Sequence, residues 1–567
     1  MMTDEILPIN AGDKIDLYLE RITPFGYSGA VLIARSGNVI LNKGYGLADR
    51  TNAIPNTSET VFNLGSITKQ FTATAIMKLE MLGLLNTSDS IGRHLPGLMD
   101  DKSDITLHHL LTHTAGLEEI DRDDFEIVNR EQMLSEILDA PLKFAPGTRY
   151  AYSNAGYTVL AAIVEEVSGI GYEPFLQENL FELAGMRSTG YRLPNWVGKP
   201  IAHWYVNGVD QGISLEKPYP SWSVMGNGEM LSTTGDMYRW HRALESGLIL
   251  SREIQRKMYS PYLRNYAYGW EVTDTPHGRL ARHGGTSDYG SSASFERYLD
   301  QDIVIMLFCN QDYAGGDALA RMIVSKVTEM VFGEDLTIPE KVLPFLEEGL
   351  KPYTGNYRSP GGEVDLLVRV EDGALRLSST GKKALTLLDF PARDDRPEHQ
   401  MLDRQAKQIF TAALSGDFNP LELIVKDRGI RMSVLRRMII ESIQKLQADH
   451  VRALGTVPSN YIQGGLDTYL KIEGPQGEDV FLFVWEDGMN AGMARLPADP
   501  MQLSSMAFHP LSSDELLGYH LGGGQIARLI VERSEKEVSG LKALTKSGPI
   551  SFERADVGGI IVPEVKR

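Results

Sequence analysis

Between Val61 and Gly83 the chain reads VFNLGSITKQFTATAIMKLEMLG, and Phe71, Ala75, Leu79 and Leu82 recur at intervals of four, four and three residues. That period predicts one apolar face of an amphipathic helix, with Gly83 as its stop. Upstream, SGAVLIARSGNVILNKGYGLAD (Ser28 to Asp49) reads as two strands joined at Ser36-Gly37-Asn38, a hairpin. Helical patterns dominate from Ser66 to about Gly185. Strands return around Met230–Thr233 and Tyr266–Val272, and the unbroken apolar run IVIMLFC (Ile303 to Cys309) predicts a buried strand before a helix over Ala318–Phe332. Strands at both ends of a helical middle predict an antiparallel sheet covered by helices, with a helical insert.

After GEDLTIPEKVLP the texture changes. From about Lys351 short alternating segments are punctuated by Gly, Pro and Asp, which predicts an all-β region. Asn356-Tyr357 is echoed at Asn460-Tyr461, and Leu423-Ile424-Val425 at Leu529-Ile530-Val531, both about a hundred residues on. Two matches at nearly one offset predict two related β modules. The expected domains are therefore 1–335, 336–450 and 451–567.

Composition narrows the function. Lys and Arg number 56 against 75 Asp and Glu, a net charge of −19. Such a surface repels phosphate backbones and anionic membranes, so neither nucleic acid nor membrane is an expected partner. The N-terminus carries acids where a secretory leader needs a basic start and an apolar run, so a cytoplasmic location is expected. The single cysteine, Cys309, lies inside an apolar strand and reads as a core residue.

Three polar groups interrupt these patterns. Ser66 and Lys69 are three residues apart at a helix start, which places amine and hydroxyl on one face. The helix N-terminus there offers free N–H groups to an oxyanion. In RYAYSNAGY, Tyr152 and Asn154 flank a serine just ahead of a helix. A tyrosine there can pass a proton, and an asparagine amide can hold a carbonyl and a lysine together. In RHGGTSDYG, His283 is followed by Gly284, Gly285 and Thr286, and small residues allow a substrate backbone to approach a strand edge. His108, His109 and His113 are close in sequence, but the chain carries no H-E-x-x-H and offers no third ligand, so no metal site is expected.

FNLGSITK, YSN and HGG occur in that order, and together they resemble the penicillin-recognising serine hydrolases, whose S-x-x-K is a catalytic signature. TLHHLLTHTAGLEE is similar to a segment of the branch that holds class C β-lactamases, serine esterases and D-aminopeptidases. The resemblance covers about residues 15–335. It implies an α/β (α+β) β-lactamase/transpeptidase-like domain, with an antiparallel sheet flanked by helices and the active site facing a helical subdomain. It also implies Ser66 as nucleophile, Lys69 as its base, Tyr152 as general acid/base and Asn154 as its binding partner. His283 takes the first position of the K-T-G-like motif, and Gly285 and Thr286 line the oxyanion side. A partly charged His283 would help lower the proton affinity of Lys69 and the tyrosine.

Penicillin-binding proteins and most β-lactamases carry a lysine where this chain has His283, which demotes β-lactams as substrates. His283 and the two appended β modules look most like D-aminopeptidases, which implies two C-terminal lipocalin-like barrels. The expected activity is a D-stereospecific aminopeptidase or amidase acting on small peptides or amino-acid amides and esters. A broad carboxylesterase is the alternative, since acyl transfer leaves the leaving group open. No cofactor is expected, and homodimerisation stays open.

Overall fold

The computed structural model describes residues 11–95, 102–120, 122–206, 208–312, 319–344, 347–362, 365–371, 373–380, 397–425, 432–458, 466–486, 489–496, 507–519, 521, 526–535, 537–545 and 548–555. They form two compact units. One is built from residues up to Asp16 and Ser28–Leu336, the other from Leu17–Tyr27 and most of the chain from Thr337 onward.

The first unit is organised on a six-stranded antiparallel sheet. Its strands are β1 (Gly29–Arg35), β2 (Asn38–Tyr45), β3 (Glu271–Thr275), β4 (Gly278–Ser287), β5 (Ser291–Tyr298) and β6 (Ile303–Cys309), in the order β2-β1-β6-β5-β4-β3. β1 joins the two ends of the unit by pairing with both β2 and β6, from Gly29 opposite Cys309 to Arg35 opposite Ile303. Every residue of β5 and β6 is buried, the pattern of a strand covered on both faces. The helices Thr234–Ser246 and Leu319–Val331 pack on these central strands.

Two readings of this unit need correction. The helix Lys69–Met81 is buried from Lys69 through Met77 on all sides, while Leu82 is 53% exposed. It lies inside the unit rather than on its surface, so its apolar period marks no water boundary. Tyr266–Trp270 is a loop, and the strand begins only at Glu271. Tyr266 closes an isolated bridge back to Glu271, which turns the chain sharply.

The second unit holds one closed eight-stranded barrel, formed by strands within 355–380 and 507–554. Tyr357 pairs with Arg554 to close it, and Leu375 pairs with Phe508 across a long insertion. Leu366, Val368, Phe508, Leu529, Leu541 and Phe552 are among its core residues, as suits a barrel of this size, which side chains can fill. The insertion carries helices Pro397–Leu414, Asn419–Val425 and Met432–Leu446 and a separate four-stranded sheet within 450–496.

The expected pair of successive barrels is thus one barrel interrupted by an α/β insertion. Leu423-Ile424-Val425 lies in a helix and Leu529-Ile530-Val531 in a barrel strand, so that apparent repeat has no structural counterpart. Asn460-Tyr461 lies outside the described residues. The helices arise because Leu402, Ala406, Ile409, Phe410 and Ala413 hold a helical period. Phe410 packs tilted against Phe481 and edgewise against Phe483, so helix and sheet bury one another's apolar face.

Candidate active site

Ser66 sits in a tight 3-10 turn, Gly65–Thr68, that runs directly into the helix Lys69–Met81. The turn needs a left-handed residue just before the serine, and Gly65 supplies it with φ +49°. Asn63 Oδ1 accepts from the Gly65 N–H at 2.7 Å. The Leu64 N–H bonds the Met230 carbonyl at 2.9 Å. One turn on, the buried Lys69 amine donates to Ser66 Oγ at 3.0 Å, to Asn154 Oδ1 at 2.7 Å and to the Asn227 carbonyl at 2.6 Å. The S-x-x-K spacing, with Asn154 on one side and the buried Asn227 on the other, therefore fixes the amine on the hydroxyl.

Asn154 opens the helix Asn154–Ser168, capped by the Ser153 hydroxyl, which accepts from the Gly156 N–H at 3.0 Å. The Glu119 carboxylate accepts from the Asn154 and Ala155 N–H groups at 3.1 and 3.4 Å, where the helix dipole favours an anion. The Tyr152 ring lies under the Lys69 amine, 4.8 Å from its centroid. The segment around Tyr152 is tied to the THTAGLEE turn. The Ala151 N–H bonds the His113 carbonyl at 2.9 Å, and the Ser153 N–H bonds His113 Nδ1 at 3.0 Å. His113 thus carries its proton on Nε2, and its ring lies against Tyr152 at 4.3 Å and Tyr266 at 4.4 Å.

The third group arrives on β4. Its neighbour β3 pairs only with Gly278–Arg282, which leaves His283–Ser287 to face the serine turn. A β-carbon on Gly285 would meet the Leu64 carbonyl oxygen at 1.9 Å and the Ser66 nitrogen at 3.0 Å; one on Gly65 would meet the Thr286 nitrogen at 2.6 Å. The Ser66 and Thr286 backbones therefore lie side by side. Gly285→Ala is expected to force strand and turn apart and lower kcat/KM about 100-fold with an unchanged circular dichroism spectrum. Turnover within about threefold of wild type would show that the contact is slack.

His283 differs from the expectation of a partly charged group. Burial, reinforced by the Lys69 charge, pushes its pKa down to about 4. Nδ1 donates to the Gly284 carbonyl at 2.6 Å, so Nε2 accepts from the Tyr266 hydroxyl at 2.9 Å. A neutral, fully bonded imidazole supplies no cation. Burial, with Lys69 and His283 beside it, also holds His113 well below the usual histidine range. These groups stay neutral when folded but charge near pH 6.5 when unfolded. The unfolded chain takes up protons first, so stability present above about pH 6.5 is lost as pH falls toward 4. The melting temperature is expected to drop over that interval, and to drop less steeply in His283→Asn. Parallel curves would contradict this assignment.

The seven residues singled out from sequence, Ser66, Lys69, Tyr152, Asn154, His283, Gly285 and Thr286, come together from three separate elements. Asn63, Glu119, His113, Asn227, Glu229 and Tyr266 complete their surroundings. Of these, His113 and Glu119 could have been found in THTAGLEE, whose ordered polar residues have no place in an apolar period. His108 bonds Tyr268 at 2.8 Å and His109 accepts from the Thr106 N–H at 3.2 Å, so each nearby histidine has a structural partner. Among the described residues no cluster of His, Cys, Asp or Glu is arranged to hold a metal ion, and no helix is long and apolar enough to cross a membrane.

An antiparallel sheet with a serine–lysine pair set against the end of β4 that β3 leaves unpaired defines the β-lactamase-like class of serine hydrolases. The chain belongs to the Beta-lactamase family, whose sequence pattern matches residues 24–327. It is 28% identical over 402 residues to Penicillin-binding protein 4* of Bacillus subtilis (strain 168), covering 65% of this chain and 87% of that one. It is 32% identical over 312 residues to Putative penicillin-binding protein PbpX of the same organism, covering 54% of this chain and 76% of that one. The octameric penicillin-binding protein homologue from Pyrococcus abyssi shares the fold with a TM-score of 0.53 and 19% identity, covering 95% of this chain and 99% of that one.

Proposed function

We propose that this serine hydrolase acts through an acyl-enzyme on Ser66 and is a D-stereospecific aminopeptidase or amidase for small peptides and amino-acid amides and esters. The observation that carries the reading is the Lys69 amine, 3.0 Å from Ser66 Oγ and anchored by Asn154 and Asn227. In its neutral form Lys69 keeps two N–H groups on Asn154 and the Asn227 carbonyl, its lone pair takes the serine proton as Ser66 Oγ attacks the substrate carbonyl, and Tyr152 relays that proton to the leaving amine. The Ser66 and Thr286 N–H groups receive the oxyanion. Water then releases the acid and restores the serine.

The neutral His283 supports a substrate without a carboxylate at this edge of the cleft, which sets β-lactams aside. The Bacillus subtilis relatives carry penicillin-binding names. Steady-state hydrolysis of D- and L-alanine p-nitroanilides, beside short p-nitrophenyl esters, tests the reading. A D-over-L preference of about tenfold or more in kcat/KM, the discrimination one misfitting group provides, is expected. Ester turnover with no anilide cleavage for either enantiomer would make the protein a carboxylesterase.

A further inference from the structure

Glu229 stands where the backbone favours glycine. Its φ is +65°, a conformation that residues with a β-carbon adopt only when something else repays it. The chain nonetheless places a buried glutamate there, directly after Gly228. The carboxyl reaches the serine turn. Oε2 accepts from Asn63 Nδ2 at 2.5 Å, and Asn63 Oδ1 accepts from the Gly65 N–H at 2.7 Å. The Ser287 hydroxyl, one residue beyond Thr286, bonds the same carboxyl.

The flanking backbone grips the turn at other points. The Asn227 carbonyl accepts from Lys69 at 2.6 Å, the Met230 carbonyl from the Leu64 N–H at 2.9 Å, and the Met230 N–H bonds Thr68 Oγ1 at 3.1 Å. The Glu229 carbonyl is itself held by the Tyr219 hydroxyl at 2.7 Å. Gly65, the residue next to the nucleophile, is reached by this segment through the Glu229 side chain and Asn63.

We propose that Glu229 is a positioning residue for Ser66, acting through Asn63 to fix the Gly65 peptide and so the direction of the Ser66 hydroxyl and N–H. This rests on the reading of Ser66 as nucleophile. A neutral acid suits the task. Burial, with Asp124 and Asp288 nearby, pushes its pKa well above the carboxylate range. It bonds Asn63 without setting a negative charge behind the amide that receives an oxyanion.

The full-length wild type, S66A, E229G, E229Q and N63A are compared on a short p-nitrophenyl ester. Glu229→Gly suits the left-handed backbone and removes the side chain with its carboxyl; kcat is expected to fall about 10- to 100-fold with KM within about threefold. Asn63→Ala, which cuts the same link from the other side, is expected to match it, and the double variant to be no slower than either. Glu229→Gln keeps an oxygen for Asn63 and carries no charge, so kcat is expected to recover to within about threefold of wild type. With S66A inactive, wild-type kcat in E229G or N63A, or an E229Q as slow as E229G, overturns the positioning role and leaves the nucleophile in place. An S66A as active as wild type overturns the nucleophile, and this role with it.

Discussion

Ser66→Ala is expected to lower turnover of every substrate by at least about 10³-fold, because in the proposed mechanism it removes the atom that forms the acyl bond. The fold survives. Ser66 Oγ contributes one hydrogen bond, from Lys69, and that amine keeps Asn154 and Asn227. The stability cost is about 1 kcal/mol, the usual worth of one such bond. Thermal melting and steady-state kinetics on one preparation separate the two effects. Residual turnover above a few per cent would mean that another residue attacks the substrate.

Lys69→Met has nearly as large an effect. Methionine fills the length of the side chain, but the hydroxyl loses its proton acceptor, and the Asn154 and Asn227 oxygens lose their shared donor. A serine without its base is a poor nucleophile. We expect kcat/KM to fall about 10³-fold, and the Ser66→Ala/Lys69→Met double variant to be little slower than either single one, since the pair acts as a unit. Losses that multiply would show two independent contributions. A rate unaffected by the substitution would hand the role of base to Tyr152.

The grouping of the candidate site residues was legible because its signals are local. S-x-x-K, Y-S-N and H-G-G each place their polar side chains within a few residues at a helix start, a turn or a strand edge. The supports were not legible in the same way. Asn63 meets Glu229 and Lys69 meets Asn227 across 166 and 158 residues of chain, and no period or spacing in one sequence joins such pairs. The charge of His283 depended on burial that its neighbours Arg282 and Gly284 do not reveal. Its electrostatic setting came only with the Tyr266 loop and the Lys69 amine.

The C-terminal half shows a different limit. Barrel strands on either side of a long insertion close one sheet, with Leu375 opposite Phe508. A reading along the chain divides such a barrel in two. Frequent Gly, Pro and Asp suggested turns between strands, and they outweighed the helical period of Leu402, Ala406, Ile409, Phe410 and Ala413. Leu423-Ile424-Val425 shows how little a three-residue match carries, since an apolar triplet serves a helix and a strand equally.

The most direct test of the account is to trap the acyl-enzyme. The full-length protein is mixed with a slowly released p-nitrophenyl ester, quenched in acid within the burst, and weighed intact before peptide mapping. One acyl group per chain is expected on the peptide that contains Ser66, with a matching burst of nitrophenol and no adduct in Ser66→Ala. Turnover that proceeds with no adduct, or with the acyl group on a different residue, would contradict it.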